Sequence, residues 1–294
     1  MERTAANRVS IIIVTHNSMP ALRDCLASLE AGCAGVEWHL IVVDNLSRDK
    51  SVACVKERVP DATIVENGRN EGFAAGCNIG ARRAGGDFLL FLNPDVQLDP
   101  HAVKHLIDTA AANIRVGVMG GRLRNPDDSF QPTCRKFPTV TNLLFSHGSF
   151  LGKLFRSSSR YTMPDFDAVT VVPAIGGALL MIRRGLFERL EGFDRRFFMF
   201  MEDTDLCRRA MLAGYKNLFV PTAGGTHLWG KGSQAGQVRR AILHHSSMWK
   251  YFLKHLPNGF SLVVLPALLV ANLAVTIVLS GWRGLFGGAG EKKR

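Results

Sequence analysis

DFLLFLNPD, from Asp87 to Asp95, sets five consecutive apolar residues ahead of a turn that ends in a single carboxylate. A continuous apolar run of that length, bounded by turn residues, reads as a strand buried on both faces, with Asp95 delivered to its carboxyl end. Far downstream the chain carries a second acidic cluster, FFMFMEDTDLCRR, and then THLWGKGS. Glu202, Asp203 and His227 arriving beside Asp95 would give a site suited to a metal-bound diphosphate with a base next to it.

The rest of the chain fits a frame for such a site. VSIIIVTHN and WHLIVVDN are apolar runs that end in polar residues, and ATIVEN is a third strand. The pattern of Leu22, Cys25, Leu26 and Leu29 puts one apolar face on a helix after Pro20, which falls in its first turn. RDKSVACVKERV, EGFAAGCNIGARRAG, HAVKHLIDTAA and EDTDLCRRAMLAG read as further helices, and VGVMGGRL, VTVVPAIGGALLMIRR and a short YKNLFVP as strands. Alternation of this kind predicts an α/β fold: a mostly parallel, Rossmann-like sheet flanked by helices on both faces. The expected domain runs over 8–235. Its rhythm breaks at 124–167, read as an insertion or acceptor-side loop that carries Arg124, Arg135, Lys136, Lys153, Arg156 and Arg160.

With 294 residues and 47% apolar content, the chain can bury a large core. None of its six cysteines forms a CxxC pair, which points to a reducing compartment and argues against structural zinc. The formal net charge is +11, and Lys231 to Asn258 holds five Lys or Arg and no acid. A basic surface of this sort suits a diphosphate, an anionic lipid or a nucleic acid. No zinc-finger spacing, RNP-like motif or Arg-rich arm is present, so nucleic acid is not expected. The basic stretch 236–258 reads as an amphipathic helix. Phe260 to Leu279 then gives twenty residues without a charge. A helix over 259–282 is therefore expected, long enough at about 1.5 Å per residue to span or lie on a bilayer, or else to pack on a partner.

In doubly wound sheets ligands bind beyond the carboxyl ends of the strands. Thr15, Asn17, Asp44, Asn45, Asn93 and Asp95 fall there. Asp44 could accept from a base or ribose hydroxyl, or simply cap a turn. Asn70 and Gly72 lie in NEGFAAGCN, whose small residues let backbone pass close to a nucleotide. Neither a dinucleotide fingerprint nor a phosphate loop is present. His227 is placed on a loop after the last strand. Glu202 and Asp203 precede a helix whose N-terminus favours an ionised carboxylate by about 0.3–1 kcal/mol. Asp205 is expected to brace backbone or Arg208.

The stretches SIIIVTHN, VVDNLSRDKS, NEGFAAGCNIG, FLLFLNPDVQL, IGGALLMIRR, GFDRRFFMFMEDTDLCRRAMLAGY and THLWGKGS resemble, in order, family 2 glycosyltransferases of the GT-A fold, most closely a rhamnosyltransferase-like branch. The resemblance covers about Val9 to Ser233. It implies that Thr15, Asn17 and Asp44 hold the nucleotide and that Asp95 replaces the last acid of the family's DxD metal motif. It further implies His227 as a second metal ligand, Asp203 as catalytic base, and Glu202 as support for Asp203 or contact for the acceptor. Asn93 stands where many members have Asp. The implied cofactor is Mg2+ or Mn2+, the implied donor dTDP-L-rhamnose, and the implied acceptor a glycan or polyprenyl-diphosphate-linked glycan at the cytoplasmic face of the inner membrane. Two other readings are a sugar-nucleotide nucleotidyltransferase, which should show a glycine-rich N-terminal phosphate loop, and a non-catalytic glycan-binding protein of the same fold, which should have lost its strand-end acids.

Overall fold

The structure, a computed structural model, describes residues 8–139, 161–228, 236–271 and 273–274. These residues fall into two compact units, one drawn from within 1–137, 162–198 and 202–234, the other from within 138–161, 199–201 and 235–294.

In the first unit, strands β1 (Val9–Thr15), β2 (Trp38–Asp44), β3 (Thr63–Glu66) and β4 (Phe88–Leu92) alternate with helices α1 (Ala21–Gly32), α2 (Ser51–Arg58) and α3 (Phe73–Ala81). Then follow β5 (Val96–Leu98), α4 (Ala102–Ala112), β6 (Val116–Arg124), and the short strands β7 (Phe130–Gln131), β8 (Cys134–Arg135), β9 (Thr170–Val171) and β10 (Ala174–Ile175). The unit is completed by β11 (Leu179–Arg183), α5 (Arg184–Arg189), α6 (Glu202–Leu212) and β12 (Lys216–His227). The main sheet runs β3-β2-β1-β4-β11-β6-β12-β5, while β8 and β10 pair as a separate two-stranded ribbon. The left half is parallel, as expected. β11 enters antiparallel between β4 and β6, so the sheet is mixed at its centre.

Strand alternation sorts the core into two layers. Val9, Ile11 and Ile13 of β1 pack with Leu22, Leu26 and Leu29 of α1 and with Val103 and Leu106 of α4. Ile12 and Val14 face the other way, toward Ala74 and Cys77 of α3 and Leu206 and Cys207 of α6. Each fully buried Leu, Ile or Phe contributes about 1.5–3 kcal/mol relative to exposure, so both faces hold the sheet. All six cysteines are buried and unpaired, and burial raises the Cys134 thiol to about 11.

Three expectations change. The late strand is not the short YKNLFVP piece but twelve residues long, ending at His227. Pro221 and the Gly-Gly pair suggest a stop, yet the strand continues with a register shift between Val220 and Gly224. The irregularity lets the chain pass Gly121, where any Cβ would strike the Ala223 carbonyl. His227 is therefore the last residue of a strand and not on a loop. Glu202 and Asp203 form the first turn of α6, the helix expected over EDTDLCRRAMLAG. Pro20 caps α1 from outside, because the helix begins at Ala21.

The second unit contains α7 (Gln237–His255), followed by a π-helical turn at Phe260–Val264. Tyr251 and Phe252 of α7 are fully buried, while Ile242 and Trp249 are exposed. Among the described residues no helix is long and apolar enough to cross a membrane. The expected apolar helix over 259–282 lies partly outside the described residues, as do Lys153, Arg156 and Arg160 of the basic loop.

Candidate active site

Parallel registry lines up the first group of candidate residues. Thr15 pairs with Asp44 across β1 and β2, and Asp44 with Glu66 across β2 and β3. Adjacent strands lie about 4.8 Å apart, so these side groups form one row along the carboxyl edge. Asp44 is 4% exposed: its Oδ2 accepts from the Ser47 N–H at 2.9 Å, while Oδ1 is buried without a partner. The Thr15 hydroxyl is likewise buried and unpartnered. Unmet polar atoms at a strand edge are costly unless something completes them, and a ribose or base edge has the matching groups.

The neighbouring candidates shape this row from behind. Asn17, in a left-handed conformation at φ 53°, accepts from the Arg48 N–H through Oδ1 at 2.7 Å. Asn45 is 2% exposed and donates to the Gly72 carbonyl at 3.0 Å, while its Oδ1 accepts from Asn67. Asn70 accepts from the Gly72 N–H at 2.9 Å. Gly72 sits at φ +83°, with the Phe198 carbonyl where a Cβ would go, so only glycine fits the turn into α3. Asn45 and Asn70 thus have their side chains engaged within the loop.

β4 ends in the turn that carries Asn93 and Asp95. Asn93 is half-buried, and its N–H donates to Ala178 O at 2.9 Å, stitching this turn to the start of β11. Asp95 is 3% exposed. The end of β12 comes alongside: His227 pairs with Val96, the Leu228 N–H donates to Asp95 O at 2.9 Å, and His227 Nε2 lies 3.3 Å from Asp95 Oδ1.

Gln131 decides which nitrogen of His227 carries hydrogen. Its amide nitrogen donates to Asn125 Oδ1 at 2.8 Å and to His227 O at 3.4 Å, which leaves Oε1 to face Nδ1 at 2.6 Å. Nδ1 is therefore the donor, as in many imidazoles that ligate metals. Nε2 then faces the Asp95 carboxylate, so that both can act as donors to one ligand. No group of three or more His, Cys, Asp or Glu suited to a metal occurs among the described residues. Two protein donors, one carboxylate and one imidazole, fit a Mg2+ or Mn2+ ion that takes its remaining ligands from diphosphate and water.

The second acidic cluster reaches the same edge. Asp203 is 5% exposed; its Oδ2 accepts from the Gly177 N–H at 2.9 Å, and its Oδ1 from the Thr204 N–H at 2.6 Å and the Thr204 hydroxyl at 3.1 Å. Arg135 Nη1 stands 3.7 Å from Oδ2. The residue after Gly177 is Ala178, whose carbonyl holds Asn93, so one short chain of bonds joins Asp203 to the turn bearing Asp95. Glu202, also 5% exposed, has a buried Oε2 without a partner, and burial followed by the Asp203 charge raises its carboxyl to about 8. Asp205 bonds Arg209 one helical turn on, at 2.8 Å, and Arg208 lies over the Phe137 ring.

Gln131, Arg135 and Gly177 were not singled out as site residues by sequence reasoning. Gly177 lies within the quoted IGGALLMIRR, so a signal existed. Gln131 gave none, because it lies in the irregular stretch NPDDSFQP, and Arg135 appeared only as one of several basic loop residues.

The model of glycosyl transferase family 2 matches residues 10–191. The chain is 27% identical over 254 residues to the N-acetylglucosaminyl-diphospho-decaprenol L-rhamnosyltransferase of Mycobacterium tuberculosis, covering 81% of this chain and 82% of that protein. It is 27% identical over 232 residues to the rhamnosyltransferase WbbL of Escherichia coli, covering 74% and 83%. Its fold is shared with a mannosyltransferase from Pyrobaculum calidifontis solved with GDP-Man and Mn2+, at a TM-score of 0.59, 19% identity, and coverage of 98% of this chain and 77% of that one. The matched span covers more than half of the chain, and the chain therefore belongs to glycosyl transferase family 2, with the GT-A fold.

Proposed function

We propose that the protein is an inverting glycosyltransferase that moves L-rhamnose from dTDP-L-rhamnose onto a hydroxyl of a polyprenyl-diphosphate-linked glycan. The observation that carries this reading is the meeting of Asp95, His227 and Asp203 at one sheet edge through the Asn93–Ala178 link. Thr15 and Asp44 offer the unmet polar atoms that a nucleoside would complete, on a cradle built by Asn17, Asn45, Asn70 and Gly72. Asp95 and His227 would hold Mg2+ or Mn2+, with Asn93 beside them. When bound, such a cation offsets negative charge gathering on the departing diphosphate.

The chain's own residues supply the proton transfer. Asp203 takes the proton of the acceptor hydroxyl through Oδ2 as that oxygen bonds to the anomeric carbon. The bond from that carbon to the diphosphate oxygen breaks with its electron pair, and dTDP leaves. With one base and no protein nucleophile in the scheme, attack comes from the face opposite the leaving group and the anomeric configuration inverts. The rhamnose assignment is supported by the two rhamnosyltransferases the chain resembles, and the lipid-linked acceptor by the decaprenol-linked substrate in one relative's name. An acceptor of that kind places the work at the cytoplasmic face of the inner membrane, with the domain over 8–235 as the catalytic part.

The testing experiment is a panel of nucleotide sugars assayed for transfer, with and without Mn2+, using wild type and Asp203→Asn. dTDP-L-rhamnose should be used best. The variant should lose roughly a hundred- to ten-thousand-fold in turnover while its donor affinity stays unchanged. Near-normal turnover would remove Asp203 as base.

A further inference from the structure

The first turn of α6 carries three acids, Glu202, Asp203 and Asp205, all at most 5% exposed. Guanidinium groups stand beside Asp205 and Asp203. Arg209, on the same helix, bonds Asp205 at 2.8 Å, and Arg135, from β8, stands beside Asp203 at 3.7 Å. Hydrogen-bond donors are distributed in the same way. Asp203 accepts from the Gly177 and Thr204 amides and from the Thr204 hydroxyl, contacts that suit an ionised carboxylate. For Glu202, the backbone group bonded to its carboxyl is its own N–H, and Oε2 has no donor. A buried carboxylate oxygen without a donor or counter-ion is far more costly than the neutral acid. Two adjacent buried carboxylates also repel each other, and one proton between them removes that repulsion.

We propose that Glu202 is a positioning residue that works as an uncharged carboxylic acid, keeping the Glu202–Asp203 pair at a single negative charge located on Asp203. The proposal rests on the reading of Asp203 as base and gives its neighbour a distinct role. The titratable and charged groups that act on Glu202 or the pair are Asp203 and Asp205 from its own helix, Arg135 from β8 and Cys77 from α3. Asp203 and Asp205 push Glu202 toward the protonated form, and Arg135 pulls against them. Cys77, itself raised well above the ordinary thiol range by burial, stays neutral and offers no compensating charge.

The sign for stability follows. The folded protein keeps a proton on Glu202 that an unfolded chain releases above about 4.5, so this residue makes stability fall as pH rises from about 4.5 to about 8. Glu202→Gln mimics the neutral acid and lacks that penalty. Thermal melts of wild type and Glu202→Gln at pH 6 and pH 9 should therefore diverge: the variant's melting temperature rises relative to wild type at the higher pH. The pH dependence of its turnover should lose the change near 8 that the wild type shows, whereas Asp203→Asn collapses at every pH. A melting difference that is the same at both pH values overturns the proposal. If Glu202→Gln fails to fold, NMR of the wild-type protein with isotope-labelled glutamate decides: one glutamate side chain titrating near 8 supports the proposal, and all titrating in the usual range overturn it. Activity retained in Asp203→Asn would sink the base reading while leaving the melting result to stand.

Discussion

Asp95, His227 and Gln131 form a chain in which each member sets the next. Gln131 holds Nδ1 of the imidazole, which turns Nε2 to Asp95 Oδ1 at 3.3 Å. Replacing Gln131 with Ala should weaken Mn2+ binding by roughly 10- to 100-fold, the usual effect of losing an outer hydrogen-bond partner. Isothermal titration of Mn2+ in the presence of dTDP checks this, and unchanged affinity would show that Gln131 is dispensable. The strand-end acids were readable from the chain because an apolar run that stops at a carboxylate can be seen in one line of sequence. The Gln131 contact was not. It joins residues 96 positions apart, and nothing about an isolated Gln in a polar stretch marks it as a partner for imidazole. Glu202 and Asp203 show the same limit: their order was plain, yet the different bonding of two adjacent carboxyls emerges only from what β8 and the Gly177 turn bring to them.

α6 is oriented by more than its apolar face. Arg209 bonds Asp205 and also donates to the carbonyls of Leu190 and Gly192, which ties the helix to the turn after α5. Asn78 of α3 holds the same turn from its other side, donating to Phe193 O at 2.7 Å and accepting from its N–H at 2.9 Å. Arg209→Met would remove the 2.8 Å partner of the fully buried Asp205 carboxylate, and a loss of up to about 3–5 kcal/mol in stability is expected. Urea unfolding of wild type and variant measures it; a change below about 1 kcal/mol would mean that the pair is not a strut. The helices and parallel strands up to Leu92 were legible because their periods are local. β12 was read too short, since Pro221 and two glycines are strong local stop signals. Pairing with both β6 and β5 carries the strand past them, which is a tertiary effect.

Charge is distributed along the molecule with a clear bias. After Asp205 the chain has no acid until Glu291, while Arg239, Arg240, Lys250 and Lys254 all lie on α7. A bias of this kind favours an anionic acceptor or an anionic lipid surface. Composition showed the bias at once. The two halves of the proposed transfer site, by contrast, are brought together by β11, which carries Gly177 and Ala178 at its approach and enters antiparallel to both neighbours. A crystal structure with dTDP-L-rhamnose and Mn2+ bound decides whether that edge is a transfer site. The diphosphate should lie against Asp95 and His227 through the cation, with the anomeric carbon turned toward Asp203 Oδ2. A nucleotide seated elsewhere, or a sugar turned away from Asp203, would contradict the mechanism.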